Sequence, residues 1–202
     1  VGFDPDKYST FDDLLGLDGQ LVELVVTVTD ADGHKDTVEK SFDMIHVVPP
    51  QCAPDFIRCS PLAGEGGFVD VDQATLRHAK YSNIFSLGDA SSAPNAKTMA
   101  AARKQAPVVA VNALSVLDGG EPVAEYDGYG SCPLTVEQGK IILAEFGYDG
   151  KLLPSFPKWL IDGTRPRKLS WLLKSEALPW IYWNGMLKGH EWLAKPQMKQ
   201  AA

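Results

Sequence analysis

The chain has 202 residues, 45% of them hydrophobic and 22% charged, an ordinary globular balance that predicts one large domain or one and a half small ones. No apolar run approaches the roughly 18–20 residues needed to cross a bilayer, and the polar opening VGFDPDKYST is no signal peptide. The net charge of -7 is uneven: residues 158–202 hold eight Lys or Arg against three Asp or Glu, which leaves -12 on the rest. A basic, aromatic tail on an acidic body argues against nucleic acid as a partner and permits an anionic membrane surface as a partner of the tail.

The Val- and Thr-rich run QLVELVVTVT at 20–29 predicts a strand, and the Asp30-Ala31-Asp32-Gly33 turn sends the chain back through one or two strands over 36–48. Pro49-Pro50 ends the sheet pattern, because proline cannot donate to a ladder. Residues 51–67 read as irregular, 68–71 as a short strand, and Ile84-Phe85-Ser86-Leu87 as another. Residues 97–117, dominated by Ala, Lys, Arg, Gln, Met and Leu, predict a helix with a kink or break at Pro107 and a stop at Gly119-Gly120. Residues 138–148 predict a strand, and Asp149-Gly150 a tight turn. Two short amphipathic helices are expected over 169–178 and 179–193, the second with Pro179 in its first turn; four of the five tryptophans fall there.

The three cysteines, Cys52, Cys59 and Cys132, are too few and too oddly spaced for a disulfide scaffold or a zinc knuckle, and the four histidines are scattered, so no metal site is expected. The stretch IFSLGDASSAPNAKTMAAARKQ at 84–105 carries more chemistry. A strand that stops at Gly88-Asp89 before a helix puts a carboxylate at the carboxyl edge of a sheet, where open α/β folds bind ligands. Gly88 permits close approach of a ligand. Asp89 can accept hydrogen bonds from sugar-type hydroxyls, and the helix start at Lys97-Thr98 offers free N–H groups and positive charge to a phosphate or an electron-rich carbonyl. Taken alone, the pattern reads equally as an ordinary strand-to-helix connection, and Cys132 as a buried inert thiol.

The wider run NIFSLGDASSAPNAKTMAAARKQAPVVAVN resembles the second flavin-contacting motif of the pyridine nucleotide-disulfide oxidoreductase superfamily. Four segments, FDMIHVVPPQ (42–51), SPLAGEGGFVDVDQATLRHAKYSNIFSLGDA (60–90), YDGYGSCPLTVEQGKIILAEFGYDG (126–150) and LPWIYWNGMLKG (178–189), resemble sulfide:quinone oxidoreductases of the mitochondrial-like type. The resemblance implies that Gly88 and Asp89 hold the ribityl side of FAD, that Lys97 and Thr98 face the flavin pyrimidine edge and the quinone, and that Cys132 is one of two redox cysteines relaying sulfur. It also implies that residues 169–193 form a monotopic membrane foot beside the quinone, with Phe146, Tyr182 and Trp183 as candidate quinone neighbours, on a bacterial inner membrane.

The superfamily's G-x-G-x-x-G is not found: Gly64-Glu65-Gly66-Gly67 is followed by Val69 where the third glycine belongs. Cys52 and Cys59 do not match the setting of the second redox cysteine and read as non-catalytic. The expectation is therefore the C-terminal half of a flavoprotein, α/β in the parent and α+β in the isolated piece. Residues 1–20 are unassigned, 21–118 are the end of a Rossmann-like FAD-binding portion, and 119–202 are a small antiparallel sheet with a helical tail. Alone it should bind FAD weakly or not at all and turn over little without its N-terminal half. Two other enzymes compete: a type II NADH:quinone oxidoreductase, which needs no thiol at Cys132, and the flavoprotein of a sulfide-oxidising flavocytochrome. From another class comes a non-catalytic membrane-binding or sulfur-sensing module.

Overall fold

The computed structural model describes residues 24–29, 33–40, 51–95, 97–190, 192 and 194–199. Expectations for residues 1–23 and 41–50, including the Pro-Pro boundary and nearly all of the FDMIHVVPPQ segment, lie outside them. The chain divides into two compact units, Val1–Pro50 and Gln51–Ala202.

In the first unit, β1 (Leu24–Thr29) and β2 (Lys35–Lys40) pair antiparallel, Leu24 opposite Lys40 and Thr29 opposite Lys35. Gly33 takes φ +85° in the connection, a backbone conformation glycine adopts without a steric cost.

The second unit begins with the short helix α1 (Asp55–Arg58), whose ends are joined by the Arg58–Asp55 ion pair. Its next elements correct the sequence reading. Neither 68–71 nor Ile84–Leu87 forms a strand. The region is laced by single bridges: Val69 to Ala63 and Ser91, Val71 to His78, and Arg77 to Phe85. The cause is chain economy. Ile84 O accepts from His78 N and Ser86 N donates to Leu76 O, so the four-residue run folds back on the segment just before it and one rung exhausts its length. Leu76 is fully buried at φ +60°, a conformation that costs a branched residue about 1–2 kcal/mol and persists because the core demands the side chain.

The long helix α2 (Met99–Leu117) is the centre of the unit. Thr98 caps it by accepting a hydrogen bond from Ala101 N at 3.2 Å. Asp118 and Gly119 close it, Gly119 at φ +81°. The expected break at Pro107 is absent: the helix is continuous, and the ring is buried against the core, which offsets the lost rung. Ala101, Gln105, Val108 and Asn112 are buried at the spacing of one helical face. Val108 joins Val69, Val71, Leu76, Ala93, Ala124 and Tyr126 in one apolar cluster.

Beyond α2, β3 (Ala124–Glu125) pairs antiparallel with β6 (Gln197–Met198). The hairpin of β4 (Gly130–Glu137) and β5 (Lys140–Phe146) puts Cys132 opposite Ala144. β5 matches the strand expected at 138–148, whereas β4 was unanticipated, because Pro133 and the Gly130-Ser131 pair mask its period. The turn at Asp149-Gly150 is present, with Asp149 at φ +57° and Gly147 N donating to Lys151 O. The tail differs from two separate helices: α3 (Lys168–Leu172), a π-helical stretch (Leu173–Ala177) and α4 (Leu178–Asn184) run on without interruption. Pro179 lies in the first turn of α4, and the widened π stretch before it accommodates the ring. The arrangement is α+β with small antiparallel sheets; a doubly wound parallel sheet does not occur among the described residues.

Candidate functional site

Four of the five residues singled out from the sequence meet at the start of α2. Gly88 opens a 3-10 turn, Gly88–Ala90, at φ +63°. Its N–H donates to Gln105 Oε1 at 2.6 Å, and its carbonyl accepts from Ser91 Oγ at 3.0 Å. The turn leaves Asp89 exposed. Lys97 folds back over this loop: Nζ donates to Ser91 O at 2.6 Å and stands 4.1 Å from the centre of the Phe68 ring. Burial pulls the Lys97 ammonium below its usual range, and the Asp89 carboxylate opposes the shift. Thr98 is committed as the helix cap.

Gly88, Ser91, Ala93, Asn95, Lys97, Ala101 and Gln105 line an open, shallow hollow. It has essentially no enclosed volume, unlike a pocket that surrounds a ligand. The residues fit one wall of a cofactor site: a glycine without Cβ, an exposed carboxylate beside it, a cation and a helix N-terminus. They do not enclose one.

Cys132 stands apart from this wall, as a half-buried free thiol on β4. Its strand nevertheless begins at the wall, since a Cβ on Gly130 would come within 3.3 Å of Asn95 Nδ2. Cys52 and Cys59 are exposed free thiols near α1. Phe146 pairs with Gly130 at the root of the hairpin, whereas Tyr182 and Trp183 lie on α4, edge to face at 5.1 Å.

Sequence reading missed the polar residues between wall and thiol. Gln105 and Tyr126 are 3% and 4% exposed. Tyr126 donates to Tyr129 O at 2.6 Å, and Asn95 Nδ2 reaches the Tyr126 hydroxyl at 3.4 Å. Tyr129 donates to Glu145 Oε1 at 2.6 Å, and Ser155 N also donates to that carboxylate. Burial first, aided for Tyr129 by the Glu145 carboxylate, pushes both phenols up to about 12. The one available signal was a glutamine on the same helical face as Ala101, Val108 and Asn112.

No family model matches the chain. It is 38% identical over 168 residues to the mouse protein named sulfide:quinone oxidoreductase, mitochondrial, across 83% of this chain and 36% of the relative. Proteins of the same name from Schizosaccharomyces pombe and Dictyostelium discoideum are 42% and 46% identical over 156 and 155 residues, each across 76% of this chain. The chain is kin to part of a sulfide:quinone oxidoreductase. It spans about a third of the length of these curated relatives, 33–36%. The expected bacterial inner membrane finds no support, since all three sulfide:quinone oxidoreductases carry "mitochondrial" in their names. Among solved structures, a chain in the cryo-EM structure of the Tetrahymena thermophila mitochondrial ATP synthase is similar at TM-score 0.54 and 26% identity, across 88% of this chain and 38% of that one.

Proposed function

We propose that this chain works as the C-terminal part of an FAD-dependent sulfide:quinone oxidoreductase. The supporting observation is 38–46% identity to three proteins of that name over a segment that includes both the Gly88-Asp89 wall and Cys132. In this reading Gly88 and Asp89 receive the ribityl chain, Lys97 and the α2 N-terminus stabilise negative charge at the flavin edge facing the quinone, and Cys132 works with a second cysteine from the N-terminal part. Sulfide loses two electrons and its sulfur leaves on an acceptor through the cysteines; the quinone takes up two electrons and two protons. When bound, FAD supplies the two-electron relay between them. The open wall accounts for the expectation that the chain alone holds FAD weakly and turns over little.

The tail supplies the membrane contact in this proposal. Leu172, Leu178, Trp180, Trp183 and Leu187 are 39–64% exposed on α3, α4 and the turn after them. No helix among the described residues is long and apolar enough to cross a membrane; the contact proposed is interfacial, made by these aromatic and aliphatic side chains.

The test is anaerobic titration of the complete polypeptide with sulfide, following the visible flavin band. Bleaching by sulfide, lost in Cys132→Ser, is the expected result. Normal bleaching of Cys132→Ser sinks the thiol's role, and a flavin that only NADH bleaches points to the type II enzyme. The likeness to a chain of the ATP synthase structure favours a second reading, a non-catalytic part of a membrane assembly. Its lower identity, 26% against 38–46%, ranks it second. Purification without flavin in a large membrane complex would put it first.

A further inference from the structure

The basic character of the C-terminal stretch is concentrated in one loop. Of the eight Lys or Arg in residues 158–202, four lie in 158–168: Lys158, Arg165, Arg167 and Lys168. All four are exposed. The one carboxylate of the loop, Asp162, is buried and engaged, accepting from Thr164 N at 3.1 Å and from Thr164 Oγ1 at 2.6 Å. The loop also carries Trp159, at 83% the most exposed large apolar side chain among the described residues, with Leu160 exposed beside it. Backbone contacts hold the loop in this form. Leu160 N and Ile161 N donate to Pro157 O at 2.9 and 3.1 Å. Ile161 is buried, and a Cβ on Gly163 would meet Leu143 O of β5 at 2.5 Å. Arg167 N donates to Ile141 O at 3.0 Å, and Ile141 N donates back to Arg167 O at 3.4 Å. The loop is thus fastened to β5 at its middle and at its end, with the indole and the four cations left outside.

We infer that this loop is a headgroup clamp for an anionic bilayer: Lys158, Arg165, Arg167 and Lys168 meet lipid phosphates while Trp159 and Leu160 sit at the headgroup level. Charge decides the partner. Leu117, the next most exposed apolar side chain, is followed by Asp118 and Glu121, which a negative surface repels. The loop offers that surface cations alone, since its carboxylate is buried. An indole favours the interface, and Lys and Arg gain from a negative surface within a Debye length of it. The loop passes directly into α3 at Lys168, so the chain continues from it into the exposed aromatic tail. The tail itself is nearly neutral: residues 169–190 hold Lys174 and Lys188 against Glu176, and Lys174 is committed to Pro133 O and Thr135 Oγ1. The two parts divide the contact, the tail supplying apolar area and the loop selecting lipid charge. The clamp deepens the membrane contact of the proposed function and rests on that reading for its consequence, the docking of a quinone-reducing enzyme; its electrostatics stand on the loop alone.

The test is co-sedimentation of the complete polypeptide with two kinds of vesicle, phosphatidylcholine alone and phosphatidylcholine with a quarter phosphatidylglycerol, at about 0.1 M and about 0.5 M salt. The expected result is binding about 10-fold or more tighter to the charged vesicles at low salt, with most of that preference lost at high salt. The triple variant Arg165→Gln, Arg167→Gln, Lys168→Gln should cut the preference to about 3-fold or less and leave binding to neutral vesicles unchanged. Lys158→Gln, away from the β5 attachment, should show part of the same loss. The double variant Arg165→Lys, Arg167→Lys keeps the charge and should keep the preference. Trp159→Ala should weaken binding to both kinds of vesicle by a similar factor, about 3-fold or more. A wild type that binds both kinds equally overturns the clamp and points to an acidic protein as the loop's occupant. An undiminished preference in both Gln variants overturns it too, because the selectivity then belongs to the tail. Sulfide bleaching of the flavin is read on the same samples: without it in the wild type the sulfide:quinone reading fails, and the lipid preference still decides the clamp.

Discussion

Asn112 spends its whole hydrogen-bonding capacity inside the protein. Its Nδ2 donates to Thr75 O and Ala124 O, both at 2.9 Å, and its Oδ1 accepts from Val123 N and Ala124 N, both at 2.8 Å. One fully buried amide thus joins α2, the loop at Thr75 and β3. Asn112→Leu keeps the volume but strands four backbone groups, and it should cost on the order of 3–5 kcal/mol in a urea titration. The titratable residues set a pH signature. Tyr129 holds its proton up to about 12 in the folded state and to roughly 10 when unfolded, so its contribution is complete below pH 10 and is lost as pH rises towards 12. Lys97 behaves oppositely: its folded value lies below the ordinary 10.5, so stability rises with pH in the window just under that value. Denaturation followed from pH 8 to 12 should show the alkaline fall flattened in Tyr129→Phe, and the preceding rise removed in Lys97→Met.

At the scale of elements, the join between hairpin and tail turns on the π-helical stretch. A π turn carries one extra residue and rotates the side chains beyond it. Lys174, within that stretch, reaches back to β4 and donates to Pro133 O and Thr135 Oγ1, each at 2.9 Å. These acceptors flank the strand immediately after Cys132. Lys174→Met keeps the aliphatic stem and removes both donations, and it should lower stability by about 1–2 kcal/mol, since one acceptor is half-buried and the other exposed. The same variant should be cut faster by trypsin at Arg165, Arg167 and Lys168, just ahead of α3; unchanged cleavage would show that the tail docks by its apolar side chains alone. The bridge between Ile141 and Arg167 is the other attachment here, which is why the expected effect is partial.

At the scale of the whole molecule, the question is what the exposed aromatic tail meets. Trp180 stacks on Trp192 at 6.1 Å, and Trp192 on His190 at 5.4 Å, while Trp183 is 64% exposed. An apolar surface of this kind flanked by Lys174 and Lys188 suits the headgroup region of an anionic bilayer. Co-sedimentation with vesicles containing a quarter anionic lipid should capture the complete polypeptide. The double variant Trp180→Ala, Trp183→Ala should weaken capture about 10-fold while sulfide bleaching of the flavin persists. Equal capture of the variant would move the membrane contact elsewhere.

The sequence by itself determined the parts whose signals are local. The helix expected at 97–117 and its stop at Gly119-Gly120 follow from composition and glycine chemistry written in adjacent residues, whereas the capping role of Thr98 came from the structure. The family was legible because Gly88-Asp89, Lys97-Thr98 and the segment around Cys132 are contiguous motifs, and the curated relatives bear it out. Tertiary structure alone decided the rest. Ile84–Leu87 has the composition of a strand but only one rung to pair with. Pro107 fits a continuous helix because the core seats its ring, and α3 and α4 fuse because a π turn absorbs Pro179. Asn112 and Thr75, 37 residues apart, carry no shared motif; their meeting depends on where α2 packs, and pairing across such a distance is set by the fold, not by any local preference.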